Sequence, residues 1–203
     1  QWVAVSEFNR QLVCESFQAQ PSEVITIYNG TKVLSTLDNS NDGDVDILRH
    51  QIREELRIST TSKIALTVGR LSEHKGYADI VPAIPHITQE FPDVRFVWAG
   101  EGEEKENLVR KIKEYGVEDK VLFLGYRSDV PRLLKAADLF VFPSHFEGLP
   151  FSPIEAMANG LPIIASDATS IPEIIENKVH GLLFRTGDSC ELLEILRWAL
   201  RHP

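Results

Sequence analysis

The sequence predicts an α/β fold: a doubly wound, six-stranded parallel Rossmann-like sheet. Three observations predict it. From residue 63 onward, apolar β-branched runs alternate with helical patterns, giving six strand–helix units in about 140 residues. The runs are continuously apolar rather than alternating, which marks strands buried on both faces. At 203 residues, 43% hydrophobic and 25% charged, the chain is long enough to bury such a core without disulfides or a metal.

The elements follow in order. Val3 to Val5 is a short apolar run, and Ser6 is placed to cap a helix with Phe8, Leu12 and Phe17 on roughly one face. Pro21 breaks that pattern, Val24 to Tyr28 reads as a strand, and Asn29-Gly30 as a turn. Residues 35–46 are polar, acidic and turn-rich, and read as an exposed loop. A calcium loop starting at Asp38 fails, because its twelfth position is Arg49 where a bidentate glutamate is required. The strands are expected at Ile64 to Val68, Val94 to Ala99, Val121 to Leu124, Leu139 to Phe142, Pro162 to Ala165 and Gly181 to Phe184. Helices are expected near 75–90, 103–115, 129–137, 153–159, 171–177 and 188–201.

Composition removes whole classes of function. Lys plus Arg is 21 against 30 Asp plus Glu, a net charge of −9 with no basic block, which argues against nucleic acid as a partner. Cys14 and Cys190 lack the spacing of a zinc or CxxC site and read as reduced thiols. No apolar run approaches the roughly 18 residues of a membrane span. The first residue is Gln1 and the only methionine is Met157, so the expectation is a piece of a longer protein.

A strand order of 3-2-1-4-5-6 puts the switch point between the first and fourth of the six strands. The loops after those strands, Gly69 to Gly76 and Pro143 to Ser152, are the two most unusual in the chain. In the first, Arg70 and Lys75 are two cations suited to phosphate oxygens. The alternative is an Arg70 paired with a neighbouring carboxylate and a solvated Lys75. In the second, a helix starting near Pro153 offers its amide groups and dipole to an anion. Ser152 and Glu155 also have the spacing of a capping box, so Glu155 reads equally as a cap or a ligand contact. Glu147 reads as a solvated acid or as a partner for sugar hydroxyls.

Competing motifs fail. Gly100-Glu101-Gly102 lacks the third glycine of a dinucleotide fingerprint, which is replaced by Lys105. His145-Phe146-Glu147 lacks the downstream cysteine pair of a zinc deaminase. There is no Walker A lysine loop, and Ser144 lacks the glycine spacing of a nucleophile elbow.

Gly69-Arg70-Leu71 with Lys75-Gly76 resembles the phosphate loop of retaining GT-B glycosyltransferases, specifically glycosyltransferase family 4. Glu147 and Glu155 are separated by seven residues, as in that family's paired-glutamate motif. The stretches Ala137 to Ser144, Glu147 to Pro150 and Glu155 to Pro162 are similar to the family pattern almost position by position, and Val24 to Gly30 is similar to the segment opening its donor-binding domain. The resemblance implies a nucleotide-diphosphate-sugar site, with the sugar nucleotide as substrate and neither cofactor nor metal. Arg70 and Lys75 would hold the diphosphate, and Glu155 the ribose. Glu147 would face the transferred sugar. Backbone around Gly148, Leu149, Phe151 and Ser152 would meet sugar and phosphate, and Tyr126 and Arg127 would lie by the base.

The resemblance also implies that residues 1–20 are the tail of an acceptor-binding domain and 21–203 the donor-binding domain. A chain without the acceptor domain would bind donor weakly and transfer nothing alone. The acceptor would be a glycan or lipid-linked sugar, and the location cytoplasmic, with peripheral attachment at the inner membrane face through the absent domain. Two alternatives stay open: a non-catalytic nucleotide-sugar-binding subunit needing a partner chain, and another GT-B enzyme such as an epimerase or phosphorylase.

Overall fold

The computed structural model describes residues 1–31 and 42–202. The chain opens with β1 (Trp2–Ala4), α1 (Glu7–Phe17) and β2 (Val24–Thr26). β1 and β2 pair in parallel as a separate two-stranded sheet, with Trp2 opposite Val24. Ser6 caps α1 as expected, its hydroxyl accepting from the Asn9 amide at 3.0 Å.

The next element corrects the sequence reading. α2 (Asp42–Glu55) begins inside the stretch expected to be loop, and residues 35–41 lie outside the described ones. Ile52 is fully buried, and Leu48 and Leu56, one turn to either side, pack against the same core. Tertiary packing of that stripe outweighs the poor helix propensity of the acidic, glycine-bearing start.

The large sheet is built from β3 (Lys63–Val68), β4 (Val94–Ala99), β5 (Val121–Gly125), β6 (Leu139–Phe142), β7 (Ile163–Ser166) and β8 (Leu182–Phe184). Its order is β5-β4-β3-β6-β7-β8, all pairs parallel. This is the expected 3-2-1-4-5-6 order, so the switch point lies between β3 and β6. Successive residues serve opposite layers. Ala65, Val141 and Ile164 join one core with Trp98, and Leu66, Phe140 and Ala165 join the other. That double burial is why the strands read as unbroken apolar runs.

The crossovers carry α3 (Tyr77–Ile80) and α4 (Ala83–Glu90), α5 (Lys105–Glu114), α6 (Val130–Ala136) and α7 (Phe151–Ala158), and α8 (Ser189–Arg201) follows the last strand. The helix expected at 75–90 is therefore split. Gly76 takes a left-handed φ of 68°, separating Lys75 from α3, and Pro82 lacks the N–H that would join α3 to α4. The helix expected at 171–177 shrinks to a 3-10 turn, Ile171–Glu173, with Pro172 inside it. No helix of the described residues is long and apolar enough to cross a membrane.

Candidate active site

The loops after β3 and β6 interlock. His145 donates its amide to the His74 carbonyl at 2.7 Å, and the Ser144 hydroxyl reaches the same oxygen at 3.1 Å. A side chain at Gly76 would strike the Pro143 carbonyl at 1.9 Å, so only glycine allows this approach. The imidazole Nε2 of His145 meets the Asp79 carboxylate at 2.6 Å, tying the second loop to α3. The Tyr77 hydroxyl donates to the Gly69 carbonyl at 2.9 Å, and burial pushes its pKa upward, which keeps it a donor.

This interlock brings Lys75 and Glu147 together. The Lys75 Nζ lies 2.6 Å from Glu147 Oε1 and 5.8 Å from the centre of the Phe142 ring. Glu147 is buried, not a solvated acid. Its Oε1 also accepts from the Ser144 hydroxyl at 2.5 Å, while no bond among the described residues reaches Oε2. Lys75 is partly buried and paired rather than free, and it ends a one-turn 3-10 helix, Glu73–Lys75, that Gly76 separates from α3.

Arg70 points elsewhere. It is exposed and pairs with Glu103 at 3.1 Å, which is the neighbouring-carboxylate arrangement. The Glu103 bond lies at the surface, where it is weak and exchangeable. Gly100 and Gly102, which failed as a dinucleotide motif, are needed for packing. Their absent side chains would strike the Gly69 and Leu71 carbonyls at 1.8 and 2.1 Å.

α7 starts at Phe151 with Pro150 as its cap residue, two positions earlier than the sequence suggested. Ser152 and Glu155 are therefore the second and fifth helical residues, and the capping box is not formed. The helix opens with prolines at its cap and third positions, so Phe151 and Ser152 are left as the unpaired amide donors of the first turn. Glu155 is half-buried one turn further along, and burial pushes its carboxyl above the ordinary range. With the capping box not formed, no side-chain bond to that acid is present among the described residues.

The other expected residues divide. Gly148 and buried Leu149 lie in the loop that meets the N-terminal segment: a side chain at Gly148 would crowd the Asn9 side-chain amide of α1 at 3.0 Å, and the Leu149 carbonyl accepts from Asn29 at 2.8 Å. Tyr126 stands exposed past the end of β5. Arg127 beside it is committed to Asp129 and Glu55, both at 2.7 Å, and those carboxylates hold its pKa above the ordinary range. Sequence reasoning missed Asp79, Thr169 and Ser170. Thr169 and Ser170 follow β7 and reach Glu147 only because β6 and β7 are neighbours.

A parallel doubly wound sheet with a cation and a half-satisfied buried acid at its switch point places the chain in the doubly wound α/β class, and it matches the C-terminal domains of GT-B glycosyltransferases. Residues 49–203 match the glycosyl transferases group 1 family, and the chain belongs to that family. It is 35% identical over 193 residues to spore coat protein SA of Bacillus subtilis, covering 90% of this chain and 50% of that protein. It is 30% identical over 183 residues to a UDP-Gal:alpha-D-GlcNAc-diphosphoundecaprenol alpha-1,3-galactosyltransferase of Escherichia coli, covering 89% and 46%. Among solved structures, Anabaena Alr3699/HepE in complex with UDP and glucose superposes with a TM-score of 0.85 at 26% identity, over 98% of this chain and 53% of that one. The chain thus spans about half the length of the curated relatives it matches.

Proposed function

We propose that this chain is the donor-binding half of a retaining, family 4, metal-independent hexosyltransferase, taking its sugar from a nucleotide diphosphate. The observation that carries the reading is the Lys75–Glu147 contact beyond the switch point, with Oε2 of the glutamate left unbonded among the described residues. A neighbour of similar fold binds UDP and glucose, which supports a donor of that chemistry here.

Breaking the glycosyl–phosphate bond builds negative charge on the departing diphosphate. The Lys75 ammonium, the Phe151 and Ser152 amides and the positive end of the α7 dipole are preorganised to receive it. Arg70 swings from Glu103 to complete the clamp. Glu147 faces the transferred sugar with Oε2, Glu155 accepts from the ribose hydroxyls, and Tyr126 lies by the base.

Residues 1–20, which carry β1 and α1, are the tail of the acceptor-binding half, and β2 opens the donor-binding one. A two-stranded sheet is marginal alone, and Trp2, Val3, Ile25 and Ile27 leave apolar surface exposed on it. Transfer needs the acceptor-binding half.

A thermal-shift panel of UDP, GDP and ADP sugars against the complete protein tests the reading. One nucleotide class should raise the melting temperature, and Lys75→Ala should abolish the rise. A flat response to every sugar nucleotide would refute a donor site.

A further inference from the structure

Thr169 is held in a conformation that its side chain disfavours. Its φ is 44°, in the left-handed region, and it is the only β-branched residue among the four non-glycine residues with positive φ in the described chain. The others are Gln18, Arg57 and Lys178, all unbranched at Cβ. A branched Cβ crowds the backbone there, so the conformation persists only if its surroundings over-determine it.

They do so from both ends. The Thr169 hydroxyl accepts from the Glu147 amide at 2.9 Å and donates to the Glu147 carbonyl at 2.9 Å. The buried Ser170 hydroxyl reaches that carbonyl at 3.2 Å. Glu147 lies in a loop with no strand to pair its peptide groups, so this one hydroxyl satisfies both its N–H and its C=O. At the far end of the same turn, the Glu173 carboxylate accepts the Glu7 and Phe8 amides at 2.8 Å each and the Tyr28 hydroxyl at 3.0 Å. Buried Ile171 pins the middle.

We propose that Thr169 is a positioning residue for Glu147: its hydroxyl fixes the Glu147 backbone so that Oε2 is presented to the donor sugar, and discrimination of nucleotide sugar from bare nucleotide depends on it. This rests on the reading above that Glu147 faces the sugar. Side chain and backbone of Glu147 are then held separately. Lys75 and Ser144 hold one carboxylate oxygen, Thr169 holds the peptide, and the second oxygen is aimed.

Thr169→Gly, Thr169→Val and Thr169→Ser in the complete protein separate this from a structural role. Calorimetry with UDP-glucose against UDP, GDP-mannose against GDP and ADP-glucose against ADP reads the preference for sugar. In Thr169→Gly, which relieves the left-handed strain, the melting temperature should hold or rise. Its preference for nucleotide sugar over nucleotide should fall about tenfold. Thr169→Ser, which keeps the hydroxyl, should restore the preference to within a few-fold. Thr169→Val, which keeps the branch and loses the hydroxyl, should lose the preference as Thr169→Gly does, and a wild-type preference in it would count against the positioning role. If it does not fold, the glycine and serine variants carry the test. Wild-type preference in Thr169→Gly would overturn the positioning role alone. Failure of the unaltered protein to bind any of the six compounds would overturn the donor-site reading and this inference with it.

Discussion

Asp138 and Glu147 flank the same strand, β6, and show two ways of burying a carboxylate. At the amino end, Asp138 is closed. Its Oδ1 accepts from Arg49 at 2.5 Å, its Oδ2 accepts from buried Arg53 at 2.7 Å and from the Ile64 amide at 2.8 Å, and Lys63 stands at 3.6 Å. At the carboxyl end, Glu147 is half-closed, with both of its side-chain bonds among the described residues on one oxygen. A fully partnered acid stitches elements together, here α2 to the sheet. An acid with a spare acceptor in a crevice is equipped to meet a ligand. A buried charge costs several kcal/mol unless compensated, so the incomplete compensation at Glu147 is what sets that end apart.

Four substitutions can break or sharpen this contrast. The largest effect is expected for Lys75→Ala, which should lower kcat/KM for sugar transfer in the complete enzyme by up to about 4 kcal/mol of transition-state stabilisation. Steady-state kinetics checks it, and an unaltered rate would remove Lys75 from the leaving-group role. Next is Asp138→Ala. Stranding the buried Arg53 guanidinium should cost about 3 kcal/mol in chemical denaturation, while nucleotide affinity of the folded protein stays the same. A loss of affinity at equal stability would erase the distinction between the two ends.

Glu155→Gln should show the opposite pattern, greater stability with weaker nucleotide binding. Burial raises the folded-state pKa of Glu155 above its ordinary value of 4.5. The unfolded chain therefore releases this proton first as pH rises, and stability is lost between the unfolded and folded pKa values. The mutant's advantage should be full at neutral pH and vanish below about pH 4.5. Parallel denaturation curves at pH 4 and 7 test the sign, and an advantage equal at both would discard it. The smallest effect on the fold is expected for Arg70→Ala. Its exposed bond to Glu103 should leave the melting temperature unmoved. Affinity for a nucleotide diphosphate should weaken, and the residual affinity should depend less on salt. Equal salt dependence in both proteins would deny Arg70 a phosphate contact.

Legibility in the sequence followed the range of the forces involved. The strands were readable because each is a local apolar run, and the six expected strands lie within a residue or two of those observed. The cap of α1 was readable because Ser6 bonds three residues away. α2 was not, because its acidic start looks like loop and its helical stripe matters only once Ile52 meets the far side of the sheet. The capping box at Ser152 was plausible locally, but the chain is extended only as far as Pro150 and turns helical at Phe151, which leaves Ser152 inside the first turn.

The sequence by itself determined the alternation of strands and helices and the two unusual loops after the first and fourth strands, because hydrophobic period and glycine placement act over a few residues. The switch point followed only on assuming the common strand order, which the strand pairing then bore out. Only the tertiary structure decided which charges meet. Lys75 reaches Glu147 across 72 positions, and Thr169 reaches it from the loop after the next strand. Hydrogen bonds and ion pairs act over about 3 Å, and no local pattern of residue types records which distant loops a parallel sheet will bring that close.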